Sequence, residues 1–315
     1  MNKTIYRILL MTLLLVLIFI ADILLGSVTI PLSDFLEYLK GNDWSHPSYE
    51  AIIFEYRLPK ALTACFAGSA LAVSGLLMQS FFRNPLAGPY VLGISSGASL
   101  GVALLLLLFS GGFLLSVPLA ACIGSLFVLI VMIWASKRFR SSVSLLILGL
   151  MISYLTGALV GVLQYFSRSE EIQSFVLWGL GSFAKTQWLD LQIMLPVLVL
   201  GLVFAYSRSK ALNSLLLGES YAQSLGVSVK SIRRQLLYLV GILVAWVTAY
   251  CGPIAFLGMA VPHLVRLWVE ESDHKITIPL VALTGACIAL LCDMIAQAPG
   301  FDMVLPINSI TSLFG

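Results

Sequence analysis

The sequence predicts an all-α, polytopic membrane protein. Hydrophobic residues make up 59% of its 315 residues and charged residues only 10%, and the mean hydropathy is +1.00. A soluble domain has about a quarter charged residues. Because so few charges cannot keep a folded surface in water, lipid is expected to be the solvent for much of the chain. Apolar segments of membrane-spanning length support the same conclusion.

These apolar segments recur along the whole chain. A bilayer core of about 30 Å needs about 20 mostly apolar residues per helix. The predicted spans are 5–27, 58–80, 89–109, 113–135, 143–166, 188–206, 235–251, 253–270, 277–297 and 303 onward. Nine are complete, and the last helix is expected to be truncated. The first is expected to be a retained helix rather than a signal peptide, because its apolar run is too long for one.

The basic residues predict the orientation. Cytoplasmic loops of membrane proteins carry an excess of Lys and Arg. With the N-terminus inside, 13 of the 18 Lys and Arg residues lie on the cytoplasmic side and five on the outer side. Residues 1–315 are therefore expected to form a single transmembrane domain with a cytoplasmic N-terminus.

The inner loop 207–234 is the longest predicted cytoplasmic segment. Gly218 breaks the chain, residues 219–225 have the pattern of a short helix, and Gly226 follows in a C-cap role. Ser228 can cap a second short helix that begins directly after it. Two short helices across a loop suit a docking surface, although an ordinary surface loop would fit the same pattern.

The sequence lacks the motifs of common enzyme sites. No Gly-Lys pair occurs, so the chain has no Walker A phosphate loop. No HExxH motif occurs, the three histidines are far apart, and none of the five cysteines forms a CxxC pair. The chain is therefore expected to be no enzyme and to bind no metal. A net charge of only +3 without a basic run argues against nucleic acid as a partner.

Ionisable residues within the predicted spans are few. Asp22 lies near the outer end of the first span and is expected to reach the interface. Asp293 lies well inside the ninth span, where a structural, hydrogen-bonded carboxyl is expected. A proton- or sodium-coupled secondary transporter usually needs more buried charge, and an intramembrane enzyme needs an active site. Both classes stay open at this point.

The fifth span carries small residues at every fourth position, namely Gly149, Ser153, Gly157 and Gly161. This stripe allows two interpretations. Small residues let neighbouring helices approach closely, or the missing side chains leave room for a bulky solute in a translocation path. The pattern does not decide between them.

Four long motifs resemble one transporter family. Residues 57–101 read RLPKALTACFAGSALAVSGLLMQSFFRNPLAGPYVLGISSGASLG and strongly resemble the FecCD-type permeases of ABC importers. LGESYAQSLGV at 217–227 is similar to the family's cytoplasmic coupling loop. GPIAFLGMAVPHLVRL at 252–267 and SDHKITIPLVALTGA at 272–286 are similar to its eighth span and the start of its ninth. The resemblance covers nearly the whole chain.

The resemblance implies the ten-helix permease fold of type II ABC importers, with one permease domain over 1–315. It implies a second permease subunit, either identical or homologous, and two ATPase subunits that bind ATP and Mg. It also implies an extracytoplasmic substrate-binding protein. Such an assembly would lie in the bacterial cytoplasmic (inner) membrane and import an iron(III)–siderophore complex, haem or cobalamin. A secondary transporter of another substrate class is the alternative, and the coupling-loop match favours the importer.

The resemblance also implies roles for the residues that match family motifs. They are Arg57 and Lys60 for docking of the binding protein; Asn84, Leu86, Ser142 and Val143 for a cytoplasmic gate; and Leu217, Gly218, Glu219, Ala222, Leu225 and Gly226 for coupling to the ATPase. Anchoring of a helix end at the membrane interface is the alternative for Arg57 and Lys60. Some positions depart from the family. Val143 stands where the family has a hydroxyl residue, Gln297 where the vitamin B12 permease has a docking arginine, and Asn308 where a glycine is usual. A less ionic second docking patch is therefore expected.

Overall fold

The computed structural model describes residues 2–26, 28, 30–109, 116–139, 142–269, 271–297 and 305–313, and that part of the chain contains helices and no strand. The helices are α1 (Asn2–Leu24), α2 (Leu32–Leu39), α3 (Ser48–Ala51), α4 (Leu58–Phe82), α5 (Ile94–Ala103), α6 (Val117–Arg138), α7 (Ser142–Phe166), α8 (Ser169–Gly179), α9 (Trp188–Ser207), α10 (Ser209–Leu216), α11 (Glu219–Ser224), α12 (Val229–Cys251), α13 (Leu257–Trp268), α14 (His274–Ala296) and α15 (Ile307–Leu313). Residues 303, 304, 314 and 315 of the tenth predicted span lie outside the described residues.

Seven of the helices in the described residues are long and apolar enough to cross a membrane. They correspond to seven of the ten predicted spans, and the all-α, multi-span prediction is confirmed. The other three predicted spans are shorter helices, namely α5, which a π-helical segment extends to Leu108, the 12-residue α13, and α15. We call the two ends of the bundle outer and inner, after the orientation that the basic residues predict.

Helix α4 lies at the centre of the bundle. Its small residues between Ala67 and Gly75 are all buried, which makes them a packing surface. Gly68 lies against the backbone of Gly285 in α14, and Gly75 lies against that of Gly258 in α13. Because missing side chains let backbones approach closely, α4 packs directly against α9, α12, α13 and α14.

The outer segment before α4 is largely helical. Helix α3 continues through a π-helical segment, Ile52–Arg57, directly into α4. Pro59 in the first turn of α4 has no N–H to donate to the preceding turn, and π turns are one way in which a helix absorbs such a missing bond. Arg57 therefore lies on a continuous helix, Ser48–Phe82, rather than at the end of a loop.

The chain between α12 and α13 leaves the helical conformation at two residues with positive φ, Gly252 at 75° and Phe256 at 67°. Its backbone groups find partners in the protein. The Ala255 amide donates to Asn308 Oδ1 at 2.8 Å, and Asn308 Nδ2 donates to the Pro253 carbonyl at 2.7 Å. Non-helical backbone inside a membrane protein is tolerated where such partners exist. The asparagine that departs from the family thus supports the break before the short α13.

We expect Gly75→Ala to destabilise the bundle. The added Cβ would overlap the Gly258 carbonyl group, which is backbone and cannot rotate away. Overpacking of this kind costs about 1–3 kcal/mol, and the thermal unfolding midpoint in detergent measures it. The matched control is Gly157→Ala in α7, where no described residue outside the helix's own backbone lies within 4 Å of the added Cβ. Equal midpoints for the two variants would contradict the packing of α4 on α13.

Candidate functional site

Arg57 closes the outer end of α1. Its buried guanidinium donates through Nη1 to the carbonyl oxygens of Ile23 at 2.8 Å and Leu24 at 3.0 Å, and through Nη2 to that of Val28. The last carbonyl groups of a helix lack partners within it, and the helix dipole favours a cation there. Arg57 therefore caps α1 from a neighbouring helix.

Lys60 lies between two carboxylates inside the bundle. Its Nζ is 2.6 Å from Asp293 Oδ2 in α14 and 3.6 Å from Asp22 Oδ1 in α1. Gln297 Nε2 also donates to Asp293 Oδ2, at 2.9 Å. Asp293 therefore has the hydrogen-bonded structural position that we expected. The expectation that Asp22 reaches the interface is wrong, because its side chain is fully buried beside Lys60.

Arg57 and Lys60, the two residues predicted to dock the binding protein, are buried in this structure. Their exposed fractions are 6% and 4%, because the carbonyl end of α1 and the two aspartates hold them inside. Most exposed charges of the nearby outer segment are carboxylates. The exposed charged residues there are Glu37, Lys40, Asp43, Glu50 and Glu55. A docking role for Arg57 and Lys60 stays a prediction, and it would require both side chains to leave their present partners.

The predicted gate residues lie at the inner ends of α4 and α7. Asn84 follows α4, and its Oδ1 accepts a hydrogen bond from the Leu86 amide at 3.0 Å, which shapes the turn. The side chains of Leu86 and of Val143, in the first turn of α7, are exposed. Ser142 begins α7, and its side chain lies outside the described residues. Exposed apolar side chains can close against another surface, and their gate function stays a prediction.

The predicted coupling helix is present as α11. It occupies Glu219–Ser224 and lies between two glycines with positive φ, 123° at Gly218 and 79° at Gly226. The prediction of a second short helix after Ser228 is wrong. Helix α12 runs without interruption from Val229, because no proline or polar turn sequence separates its basic first turns from the apolar remainder.

One face of α11 is held against the bundle. Its residue Ala222 is buried, and Glu219 forms an ion pair with Arg233 of α12 at 2.6 Å. Leu217 and Leu225, which flank the helix, have exposed side chains. The segment is therefore held against the bundle on one face and offers apolar side chains on either side of α11.

The stripe on α7 divides into two parts. At Gly149 an added side chain would overlap the Val91 carbonyl, so the inner part is a packing surface. Ser153 Oγ donates within the helix to the Gly149 carbonyl at 3.0 Å. At Gly157 and Gly161, no described residue outside the helix's own backbone lies within 4 Å of an added Cβ. The outer part is therefore open, and only this part stays a candidate for the translocation path.

Comparison with known proteins identifies the family. The sequence profile of the FecCD transport family matches residues 13–315. The chain belongs to this family. The hemin transport system permease protein HmuU of Yersinia pestis is 40% identical over 268 residues, which cover 82% of this chain and 79% of HmuU. The vitamin B12 import system permease protein BtuC of Escherichia coli is 33% identical over 280 residues, which cover 89% of this chain and 85% of BtuC.

Solved structures agree with the FecCD assignment. A protein assigned to the metal-chelate type of ABC transporter, in an inward-facing conformation, has a TM-score of 0.87 and 32% identity, and the match covers 98% of this chain and 95% of that one. PsaBC from Streptococcus pneumoniae, in complex with Fab, has a TM-score of 0.56 at 17% identity, with coverage of 90% and 92%. The second likeness concerns the fold alone. The resemblance seen in the motifs is therefore confirmed.

The buried charge network, formed by Lys60 with Asp22 and Asp293, is the feature of this FecCD chain that the sequence did not predict. A usable signal was present. Asp22, Lys60 and Asp293 each lie toward the outer end of their helices, so the predicted orientation puts them at similar depth. Ionisable residues at membrane depth generally pair with one another. Depth alone did not show which helices are neighbours, and that depends on how α1 and α14 pack on α4.

We expect Lys60→Met to destabilise the protein strongly, because it leaves Asp22 and Asp293 buried without a cation. Removing one partner of a buried ion pair costs about 3–5 kcal/mol, which thermal unfolding in detergent measures. The control is Lys40→Met, which breaks an exposed ion pair with Glu37 and should cost about 0–1 kcal/mol. Adding Asp22→Asn and Asp293→Asn to Lys60→Met should recover most of the loss. A Lys60→Met protein as stable as the control would contradict the network.

Proposed function

We propose that this chain is the membrane-spanning permease subunit of an ATP-driven importer. The observation that carries the proposal is α11 at the inner end of a FecCD-family chain, where a short helix lies between two glycines with exposed leucines beside it. A short helix of this kind forms a surface to which a separate subunit can bind. Because this chain has no Walker A motif, ATP and Mg would be bound by two partner ATPase subunits.

The proposed cargo is a chelate of the size of an iron(III)–siderophore complex, haem or cobalamin. The names of HmuU and BtuC concern hemin and vitamin B12, and the similar solved structure is assigned to metal-chelate transport. A cargo of this size needs a wide passage. The open outer half of the α7 stripe, at Gly157 and Gly161, leaves such room. The permease would bind no cofactor of its own and would perform no covalent chemistry.

The proposed assembly places this chain in the bacterial cytoplasmic membrane with its N-terminus inside. Helix α7 is apolar and mostly exposed, so it must face lipid or another protein. We assign this face to a second permease subunit, which would enclose the passage between the two copies. A substrate-binding protein would deliver the chelate at the outer end. At the inner end one ATPase would bind α11 of this chain, and the other would bind the corresponding helix of the second permease subunit.

The first test of this proposal replaces the glycines that bound α11. Proline holds φ near −65°, whereas φ is 123° at Gly218 and 79° at Gly226, so Gly218→Pro and Gly226→Pro must reshape α11. We expect ATP-dependent chelate uptake by the reconstituted complex to fall at least about tenfold, which is within the usual range of coupling between sites. The control is Gly41→Pro, with a φ of 93° in the outer segment. Unchanged uptake in both α11 variants would refute the coupling assignment.

The second test identifies the cargo. The complex, reconstituted with its binding protein, is assayed for ATPase activity and uptake with ferric siderophores, haem and cobalamin in turn. We expect one class to stimulate ATP hydrolysis and to accumulate only when ATP is present. Uptake that persists without any ATPase subunit would instead indicate a secondary transporter.

A further inference from the structure

A chain of hydrogen bonds joins three helices at the inner end, among residues to which no role has been assigned. In α10, Asn213 Nδ2 donates to Asp273 Oδ1 at 2.6 Å, and Asn213 Oδ1 accepts from the His274 backbone amide at 2.9 Å. The buried His274 ring lies 2.8 Å from Asn213 Oδ1 through Nδ1 and 2.8 Å from Ser80 Oγ through Nε2. These four side chains link α10 to the start of α14 and to the last turns of α4.

The partners determine the direction of each bond. Asp273 is the N-cap of α14 and accepts from the Lys275 amide at 2.9 Å. The Asn213 amide holds the pKa of Asp273 below its ordinary value, so its carboxylate accepts at neutral pH. Because the backbone N–H of His274 donates from the other side, Asn213 Oδ1 must face the ring, and Nδ1 carries a hydrogen. A neutral ring then accepts the Ser80 hydroxyl at Nε2. A charged ring donates to Ser80 Oγ instead, and the hydroxyl hydrogen then goes to the Leu76 carbonyl at 2.9 Å.

A second contact fastens α10 to the same end of α4. Arg83, the C-terminal cap of α4, donates from Nη2 to the Leu215 carbonyl at 3.1 Å. The predicted gate residue Asn84 follows Arg83 directly, and Gly218 alone separates α10 and its C-cap from α11. Helix α10 therefore lies between the coupling helix and the gate end of α4. A cavity of about 320 Å³ beside Ser80 and Arg83 leaves that end room to move.

We propose that Asn213 and His274 are positioning residues that transmit movement of α11 to the gate end of α4, with Ser80 as the receiving group. Because α10 is hydrogen-bonded to both α4 and α14, a displacement of α11 carried through α10 moves the inner ends of these helices together. Without the chain of bonds, α10 would keep only the Arg83–Leu215 contact to this end of α4 and would lose its hydrogen bonds to the start of α14. The inference rests on the proposed function, since an ATPase partner must move α11.

The test uses the permease–ATPase complex in lipid nanodiscs with a reporter cysteine, Leu86→Cys, at an exposed predicted gate residue, in a complex first shown to retain ATP-dependent uptake. Its rate of modification by a maleimide is compared with and without ATP, and the chain without the reporter supplies the background from the native cysteines. We expect the ATP-dependent change in rate to shrink about fivefold or more in Ser80→Ala and Asn213→Ala, the lower end of typical coupling between sites. Ser80→Thr keeps the hydroxyl and should restore the response.

Ser69→Ala is the matched control. Ser69 Oγ donates to the Ala282 carbonyl at 2.9 Å, so it also joins α4 to α14, and its exposed fraction is 7% against 8% for Ser80. Ser69 lies roughly 16 Å from Ser80 along α4, toward the outer end and away from α10. Ser69→Ala should therefore leave the response intact.

The outcomes separate the two proposals. A full response in Ser80→Ala and Asn213→Ala, or an equal loss in Ser69→Ala, overturns the positioning role. A reporter that ignores ATP in the otherwise unchanged complex, or failure of any ATPase subunit to bind, overturns the proposed function itself. Retained ATPase co-purification in the variants that lose the response shows that assembly is intact and transmission is lost.

Discussion

The contact of Lys60 with Asp22 and Asp293 is the interaction on which the arrangement of this bundle depends. In hydrocarbon surroundings a charge without a partner is expensive, so three helices are held where their ionisable groups meet. The contact determines the position of α1 and α14 along α4. Arg57, three residues before Lys60 on the continuous helix Ser48–Phe82, then caps the carbonyl end of α1.

Helix α4 connects this outer network with the inner end of the protein. Between the two ends its small residues let α13 and α14 approach backbone to backbone, so the middle of the helix is tightly packed. At the inner end its attachments are polar, through Ser80 to His274 and through Arg83 to α10. Hydrogen bonds can exchange partners at less cost than interlocked backbones can separate. A helix with a rigid middle and an adjustable inner end is well suited to a protein whose inner end must respond to a partner.

Two surfaces without a partner in the described part of the chain agree with membership of the FecCD transport family. Helix α7 is apolar and open at Gly157 and Gly161, and α11 is flanked by exposed leucines. Each is a place where another chain can bind, one beside the bundle and one at its inner end. These two surfaces support the proposal that the chain is one subunit of a larger assembly, whose other chains would cover them.

Seven of the ten predicted spans, the short helix at 219–224 and the family follow from the sequence, because apolar length, glycine punctuation and long motifs are local properties. The other three predicted spans are shorter helices, which the sequence did not show. The tertiary structure alone decided which distant residues meet. Arg57 and Lys60 have the pattern of outer surface cations, yet they are buried, because α1 and α14 bring carbonyl groups and carboxylates to them. Likewise, the small residues of α7 have one local pattern, and only the position of Val91 distinguishes the packed half from the open half. Pairing across helices depends on neighbours that no local pattern specifies.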